Sequence, residues 1–169
     1  MVIFTTLKAD HKKLKGYLKK IKAELKAEKK PAATFGSFVT LLKAHAPAEE
    51  KALYERMKAA GGKAKDLGLE GKEEHHVADI LVAELSSLSM NDEAWAAKFE
   101  VLSEALEHHI EEEEKDMFKA ARAKISKAEL EAADREFKQL KKQKPLKGFQ
   151  GYLVPKHEHQ DSYKTQLIA

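Results

Sequence analysis

The chain has 169 residues, of which 43% are hydrophobic and 35% are charged, and it contains no cysteine. This length suits one domain with a hydrophobic core, and a chain without cysteine has no disulfide scaffold, iron–sulfur cluster or thiol nucleophile. The formal net charge of +3 comes from the C-terminal end, because residues 141–169 carry +4 and the residues before them carry −1.

Composition and charge also indicate where the protein is located in the cell and which classes of partner it lacks. No apolar run approaches the roughly 18 residues that a membrane span needs, and the N-terminal residues lack the pattern of a signal peptide. A basic charge confined to one end of the chain is typical of a solvated lysine-rich surface rather than of a nucleic-acid interface. We therefore expect a cytoplasmic protein with no membrane partner and no nucleic-acid partner.

Apolar residues that recur at intervals of three and four predict helices along most of the chain, and no segment alternates as a strand does. The predicted helices span about residues 7–28, 34–60, 72–88, 91–123 and 126–142. Pro31 ends the first helix, Gly61-Gly62 closes the second, and the capping-box pattern Ser126-x-x-Glu129 opens the fifth. Four long helices with short connections predict an all-α fold, an antiparallel up-down four-helix bundle with a short fifth helix.

The same pattern divides the chain into two parts. Residues 1–142 are predicted to form the bundle with its accessory C-terminal helix. Residues 143–169 contain two prolines and two glycines and are predicted to form a basic, irregular tail. In the third helix, the residues predicted to face the core are Val77, Ala78, Leu81, Val82 and Leu85.

The histidines mark an internal duplication with an offset of 64 residues. Asp10-His11 aligns with Glu74-His75, and His45-x-x-x-Glu49-Glu50 aligns with His109-x-x-x-Glu113-Glu114. The chain thus contains two copies of one helix pair. Each copy has an acidic residue and a histidine on its first helix and a His-x-x-x-Glu motif on its second. Repeated units of this kind pack together, and we expect their polar residues to meet near a pseudo-twofold axis.

The helical register directs these polar residues toward the core. A histidine and a glutamate at positions i and i+4 lie on one face of a helix, and apolar residues such as Leu42 and Leu53 extend that face around His45 and Glu49. Burying four imidazoles and two carboxylates without compensation would cost many kcal/mol. A bound metal provides that compensation.

Charge and donor type indicate two divalent ions. Neutral imidazoles add no charge, and two carboxylates together with an oxo or hydroxo bridge bring two divalent ions close to neutrality. Nitrogen and oxygen donors without sulfur suit iron, with manganese or zinc as substitutes. One carboxylate from each repeat would bridge both ions, and each ion would also receive two imidazoles.

With these motifs in this order, residues 5–122 resemble the hemerythrin-like (HHE cation-binding) domain family. The resemblance implies an up-down four-helix bundle around a non-haem di-iron centre that binds O₂ or a related small oxidant, peroxide or nitric oxide. It also implies a ligand set, in which the terminal imidazoles come from His11, His45, His75 and His109 and the bridging carboxylates come from Glu49 and Glu113.

Two features depart from the family pattern. Oxygen-carrying members have a fifth histidine in a His-x-x-x-His motif on the third helix, whereas here Gly71 precedes His75 by four residues and Asp79 follows it by four. Six-coordinate iron would then keep one open place on each ion, which favours reaction with a small oxidant over simple carriage. Pro47 lies inside the His45–Glu49 turn and is expected to kink the second helix, and a break there would separate that pair.

Several alternatives remain open from the sequence. His76 or His108 would replace or supplement its neighbour as a ligand, although the apolar register prefers His75 and His109. Tyr54 lies near the ligand layer, and core packing is its expected role.

The alternative functions are an iron- or oxygen-sensing regulatory module, a stress enzyme that removes peroxide or nitric oxide, and a metal-free structural bundle. A ferritin-like site is disfavoured, because those sites use Glu-x-x-His motifs.

Overall fold

The computed structural model describes residues 2–142, and 91% of these residues are helical with no strand among them. The tail predicted for residues 143–169 lies outside the described residues. The five helices of the described part are α1 (Val2–Lys26), α2 (Ala32–Glu49, Glu50–Tyr54 and Glu55–Ala60), α3 (Gly62–Ser87), α4 (Glu93–Glu112, Glu113–Met117 and Phe118–Lys124) and α5 (Lys127–Lys142). The middle segments of α2 and α4 are π-helical turns. The backbone at their junctions stays right-handed helical, so each helix is continuous.

Side-chain hydrogen bonds confirm two of the predicted helix starts. The Asp92 carboxylate accepts a hydrogen bond of 2.9 Å from the Ala94 amide at the start of α4. At the start of α5, the Ser126 amide donates to Glu129 Oε2 at 3.0 Å, and the Glu129 amide donates to Ser126 Oγ at 3.3 Å. These bonds satisfy amides that have no partner within the helix, as the capping-box pattern predicts.

Helix α3 begins at Gly62, ten residues before the predicted start at Lys72. Only Gly61 separates α2 from α3, and its φ of 71° lies in a region that glycine adopts without steric cost. The glycines that follow are typical of a loop, yet they lie within α3 where it packs closely on α2. A Cβ on Gly68 would stand 3.3 Å from the Cβ of Met57. These glycines therefore permit close helix packing and do not form a linker.

Buried apolar side chains form two clusters. Cluster I includes Ile3, Leu7, Leu53, Met57, Phe118 and Phe137. Cluster II includes Leu18, Phe38, Leu42, Val82, Phe99 and Leu106. Along the chain, α1 and α3 meet cluster I before cluster II, α2 and α4 meet them in the opposite order, and α5 joins cluster I alone.

A polar layer lies where each of the first four helices passes from one cluster to the other. It consists of seven residues that are at most 5% exposed, Asp10, His11, His45, Glu49, His75, His109 and Glu113. Helices α1 to α3 each pack on the next helix, α4 packs on α1, and α5 packs on α1 and α2. None of the helices within residues 2–142 is both long and apolar enough to cross a lipid bilayer.

One residue predicted to face the core does not do so. Val77 is 49% exposed, whereas Ala78 and Val82 are buried. The buried residues share the stripe of α3 that contains His75, and Val77 lies about 100° around the helix from Ala78. Val77 is adjacent to the buried stripe in the sequence, and for that reason it was predicted to be buried, but its side chain lies outside the stripe.

Candidate metal centre

The first pair of imidazoles comes from α1 and α2. The ring centroids of His11 and His45 are 5.1 Å apart. His45 Nε2 lies 3.0 Å from Glu49 Oε2, and His11 Nε2 lies 3.2 Å from Glu113 Oε2. One ligand atom each from His11, His45 and Glu49 lie within 4.8 Å of one another, a spacing that can hold one metal ion. We call His11 and His45 imidazole pair 1.

The second pair comes from α3 and α4. The ring centroids of His75 and His109 are 4.7 Å apart, and their Nε2 atoms are separated by 3.0 Å. His109 Nε2 lies 3.5 Å from Glu113 Oε2, and His75 Nε2 lies 4.0 Å from Glu49 Oε2. We call His75 and His109 imidazole pair 2. Each of the two buried carboxylates thus contacts one imidazole of each pair.

The opposite ring nitrogen of every imidazole contacts a further carboxylate. These Nδ1 contacts are His11 to Glu114 (3.0 Å), His45 to Asp10 (3.3 Å), His75 to Glu50 (3.1 Å) and His109 to Glu74 (2.7 Å). An imidazole that donates a proton from Nδ1 to a carboxylate is held in orientation, and it presents Nε2 to the centre as a more basic donor. We call these four carboxylates the anchors.

The anchors follow the internal duplication. Asp10 and Glu74 each contact the histidine on the second helix of their own repeat, whereas Glu50 and Glu114 each contact the histidine on the first helix of the other repeat. Their contacts with the histidines were not predicted from the sequence. The signal was present, because the two acidic pairs recur with the same offset as the histidines.

The two π-helical turns lie at the adjacent glutamates of each repeat. In α2 the turn follows Glu49, and in α4 it begins at Glu113. Such turns occur frequently at functional sites. Pro47 lies within α2 but does not separate His45 from Glu49, and α4 has an equivalent π-helical turn without a proline. Pro47 therefore does not break the helix, and the pairing of His45 with Glu49 is preserved.

Unsatisfied polar atoms collect at this centre. His11 Nε2, both carboxylate oxygens of Glu49 and Glu113 Oε2 are buried and have no hydrogen-bond partner in the described part of the chain. A buried polar atom that makes no hydrogen bond costs free energy, even where an imidazole nitrogen lies close to it. A divalent cation accepts nitrogen and oxygen donors of this kind. The residues present therefore fit a bound metal.

The pKa values show how the protein balances these charges. Burial opposes protonation of His45, but the charge of Glu49 and the hydrogen bond to Asp10 outweigh it and raise the pKa of His45 to about 9. Burial likewise favours the neutral form of Glu113, but His109 and His11 hold its pKa well below the usual range. Protonated imidazoles thus compensate the carboxylates, and a cation that binds here must displace those protons.

Tyr54 does more than fill the core. Its ring stacks on His75 with a centroid distance of 5.5 Å, and its hydroxyl donates a hydrogen bond of 2.5 Å to Glu113 Oε1. Burial, together with the charge of Glu113, raises the pKa of Tyr54 well above 10, so the hydroxyl keeps its proton. A Cβ on Gly71 would lie 3.0 Å from this hydroxyl. Tyr54 therefore occupies the space into which a side chain at position 71 would project.

The histidine alternatives are separated by burial. His75 and His109 are buried in the polar layer, whereas His76 and His108 are exposed. His108 forms a separate surface group with Glu74 and Glu112. Asp79, four residues after His75, makes no ion pair within 4 Å with a histidine of the described chain, and burial raises its pKa.

The two imidazole pairs have different surroundings. On the side of pair 1, the ring of Phe137 from α5 stands edge-on to His45 at a centroid distance of 5.5 Å, and Lys141 donates to Asp10. On the side of pair 2, a cavity of about 300 Å³ adjoins His109. The cavity is lined by Glu70, Glu73, Glu74, Val77, Ala78, Ala105, Leu106, His108 and His109.

A known protein family matches the part of the chain that contains this centre. The family model of the hemerythrin HHE cation-binding domain matches residues 2–121, and this range contains all the histidines and carboxylates of the polar layer. The resemblance detected in the sequence is thereby confirmed. No curated protein and no solved structure matches the chain.

Proposed function

Because the chain belongs to the hemerythrin HHE cation-binding domain family, we propose that it binds two iron ions and that the ion pair reacts with O₂ or a related small oxidant, peroxide or nitric oxide. Imidazole pair 1 would hold one ion and imidazole pair 2 the other. Glu49 and Glu113 would bridge the ions, since each contacts an imidazole of both pairs. The family match supports cation binding, and iron, which nitrogen and oxygen donors suit, would make the site redox-active.

One observation carries this proposal. Four buried donor atoms of three residues, His11, Glu49 and Glu113, have no hydrogen-bond partner in the described chain, although they lie together at the centre of the fold. A structural core would satisfy these atoms or replace them with apolar groups. Their convergence supports a bound cation over a metal-free bundle.

We also propose that α1 to α4 form an antiparallel four-helix bundle. The order in which successive helices meet clusters I and II alternates, and this alternation supports up-down connectivity. In that arrangement the two apolar clusters close the polar layer from both ends. The composition without cysteine is compatible with the cytoplasmic location that we propose.

The side chains around the centre have definable tasks. Bound iron supplies the redox chemistry that side chains lack. The anchors orient the imidazoles through Nδ1, and the apolar clusters exclude water. Tyr54 keeps its hydroxyl proton directed at Glu113 Oε1, so one oxygen of that carboxylate is already oriented by the protein. The cavity beside His109 offers a route for a small molecule.

Metal analysis of paired histidine variants tests the proposal. The full chain, produced with added iron, is expected to contain two iron ions per molecule. H75A and H109A should each lose at least one ion, because they remove a buried imidazole. H76A and H108A are matched controls, since they remove exposed neighbours, and they should keep both ions. A wild-type protein without stoichiometric metal, or equal losses in all four variants, would refute the proposed centre.

A turnover function is the second candidate. It is favoured by Gly71, because glycine at this position leaves the third helix without a second histidine. The hydroxyl of Tyr54 lies where a side chain at position 71 would project. Optical spectra distinguish the two. An absorption band that appears with O₂ and disappears under vacuum indicates reversible binding, whereas irreversible oxidation with continuous consumption of peroxide indicates an enzyme.

A further inference from the structure

The anchors of imidazole pair 1 are neutralised by lysines. Lys141 donates to Asp10, the anchor of His45, and Lys13 Nζ lies 3.7 Å from the same carboxylate. Lys8 Nζ lies 3.2 Å from Glu114, the anchor of His11. Both anchors of this pair therefore share their negative charge between an imidazole and an ammonium group.

Within residues 2–142, the anchors of imidazole pair 2 have no such lysine partners. In the described part of the chain, no lysine or arginine nitrogen lies within 4 Å of the Glu50 or the Glu74 carboxylate. Asp79 adds a half-buried carboxyl group near His75. The positive charge of Lys43 is close enough to lower the pKa of Asp79, but Lys43 contacts neither anchor. The duplication thus repeats the anchors but not the cations beside them.

Within residues 2–142, the residues that surround the two pairs differ in the same direction. Helix α5 covers pair 1 with Phe137 and Lys141, whereas the cavity of about 300 Å³ reaches pair 2 at His109 and is bordered by Glu70, Glu73 and Glu74. An acidic cavity attracts a divalent cation, and a helix bearing a lysine repels one.

We infer that the two metal positions are unequal and are loaded in order, the position at His75 and His109 first and the position at His11 and His45 second. This inference rests on the proposed two-ion centre. An anchor that has no lysine partner draws the imidazole proton more strongly, which makes Nε2 a better metal donor. Lysine ammonium groups near the other position lower its affinity for a second positive ion.

Titration of the metal-free full chain with Co²⁺ tests the order. Visible absorption and calorimetry are expected to show two binding steps that differ at least tenfold in affinity. K8M and K141M should each strengthen the second step by about tenfold and change the first by less than twofold. K20M is the control, because Lys20 pairs with Glu24 alone among the described residues, at 3.9 Å, and K20M should change neither step.

Histidine NMR spectra identify the position that fills first. With one equivalent of Zn²⁺, the ring signals of His75 and His109 should shift, while those of His11 and His45 should keep their metal-free positions. Two ions bound with equal affinity, early shifts at His11 and His45, or lysine variants that behave like K20M would each overturn the inference and leave the two-ion centre intact. A chain that binds fewer than two ions would refute the proposed function itself.

Discussion

The two helix pairs, residues 2–60 and 62–124, bring identical donors to the centre but surround them differently. Tyr54 stacks on His75 and donates to Glu113, whereas Phe118, at the equivalent position, stacks on His11 at a centroid distance of 6.2 Å and has no hydroxyl. One oxygen of Glu113 is consequently satisfied, while both oxygens of Glu49 lack a hydrogen-bond partner in the described chain. The internal repeat places the same histidine and glutamate donors in both helix pairs, and the residues next to these donors differ between the two pairs.

A second difference lies in packing. Position 71 is glycine in the second helix pair, and its equivalent in the first pair is Leu7, a fully buried member of cluster I. The missing side chain leaves space for the Tyr54 hydroxyl. Within residues 2–142, helix α5 has no counterpart in the other repeat, and it packs mainly on α1 and α2. Asymmetry around a symmetric donor set therefore arises from side-chain size and from one added helix.

The largest effect is expected from removal of a central carboxylate charge. E113Q removes the buried negative charge that, against the effect of burial, raises the pKa of His109, and it should lower the free energy of unfolding of the metal-free protein by about 3 kcal/mol. Urea denaturation at pH 7 measures this loss. E112Q, which alters the partly exposed preceding residue, should change the free energy by less than about 0.5 kcal/mol. Equal effects of the two substitutions would contradict the assigned burial of charge.

The next largest effect concerns pH and His45. Its pKa is about 9 in the folded metal-free protein and about 6.5 when unfolded. Its stabilising contribution is therefore complete below pH 6.5 and is lost as the pH rises through about 9. A bound cation must displace this proton, so Zn²⁺ affinity should rise about tenfold per pH unit between pH 7 and 9. Calorimetry in buffers of different ionisation enthalpy counts the released protons, and a count of zero at pH 7 would disprove the displacement.

A smaller effect is expected when Tyr54 is made to resemble Phe118. Y54F removes the hydroxyl that donates to Glu113 and should reduce the free energy of unfolding by about 2 kcal/mol, the value for a hydrogen bond to a charged acceptor. Y17F is a suitable control, because the Tyr17 hydroxyl has no hydrogen-bond partner within the described residues. Urea denaturation of both variants separates the hydrogen bond from ring packing. A loss as large in Y17F would show that the hydroxyl of Tyr54 has no special role.

The smallest effect is expected from G71A. Its Cβ would lie 3.0 Å from both the Tyr54 hydroxyl and Met117 Cε, so crowding should cost about 1 kcal/mol despite the higher helix propensity of alanine. G36A is the matched control in α2, where a Cβ meets nothing within 4 Å, and it should stabilise the protein by about 0.5 kcal/mol. Thermal unfolding of the two variants should therefore shift in opposite directions. A stabilised G71A would mean that Tyr54 does not depend on the space at residue 71.

Much of the fold could be predicted from the sequence because the helices carry local signals. The spacing of apolar residues located α1, α2, α4 and α5, and the capping-box residue Ser126 marked the start of α5. The start of α3 was predicted wrongly, since local propensity places Gly68 and Gly71 in a loop. Only the close packing of α3 on Tyr54 and Met57 makes glycine the favoured residue there.

The sequence by itself determined which residues form the polar layer, because a 64-residue repeat combined with helical periodicity places each His and Glu on an inward face. The tertiary structure alone decided which anchor meets which imidazole. Those contacts join residues 25 to 103 positions apart, and no local spacing encodes them. Three further features likewise depend on packing between distant segments: the hydrogen bond from Tyr54 to Glu113, the lysine contacts of Lys141 with Asp10 and of Lys8 with Glu114, and the cover formed by α5.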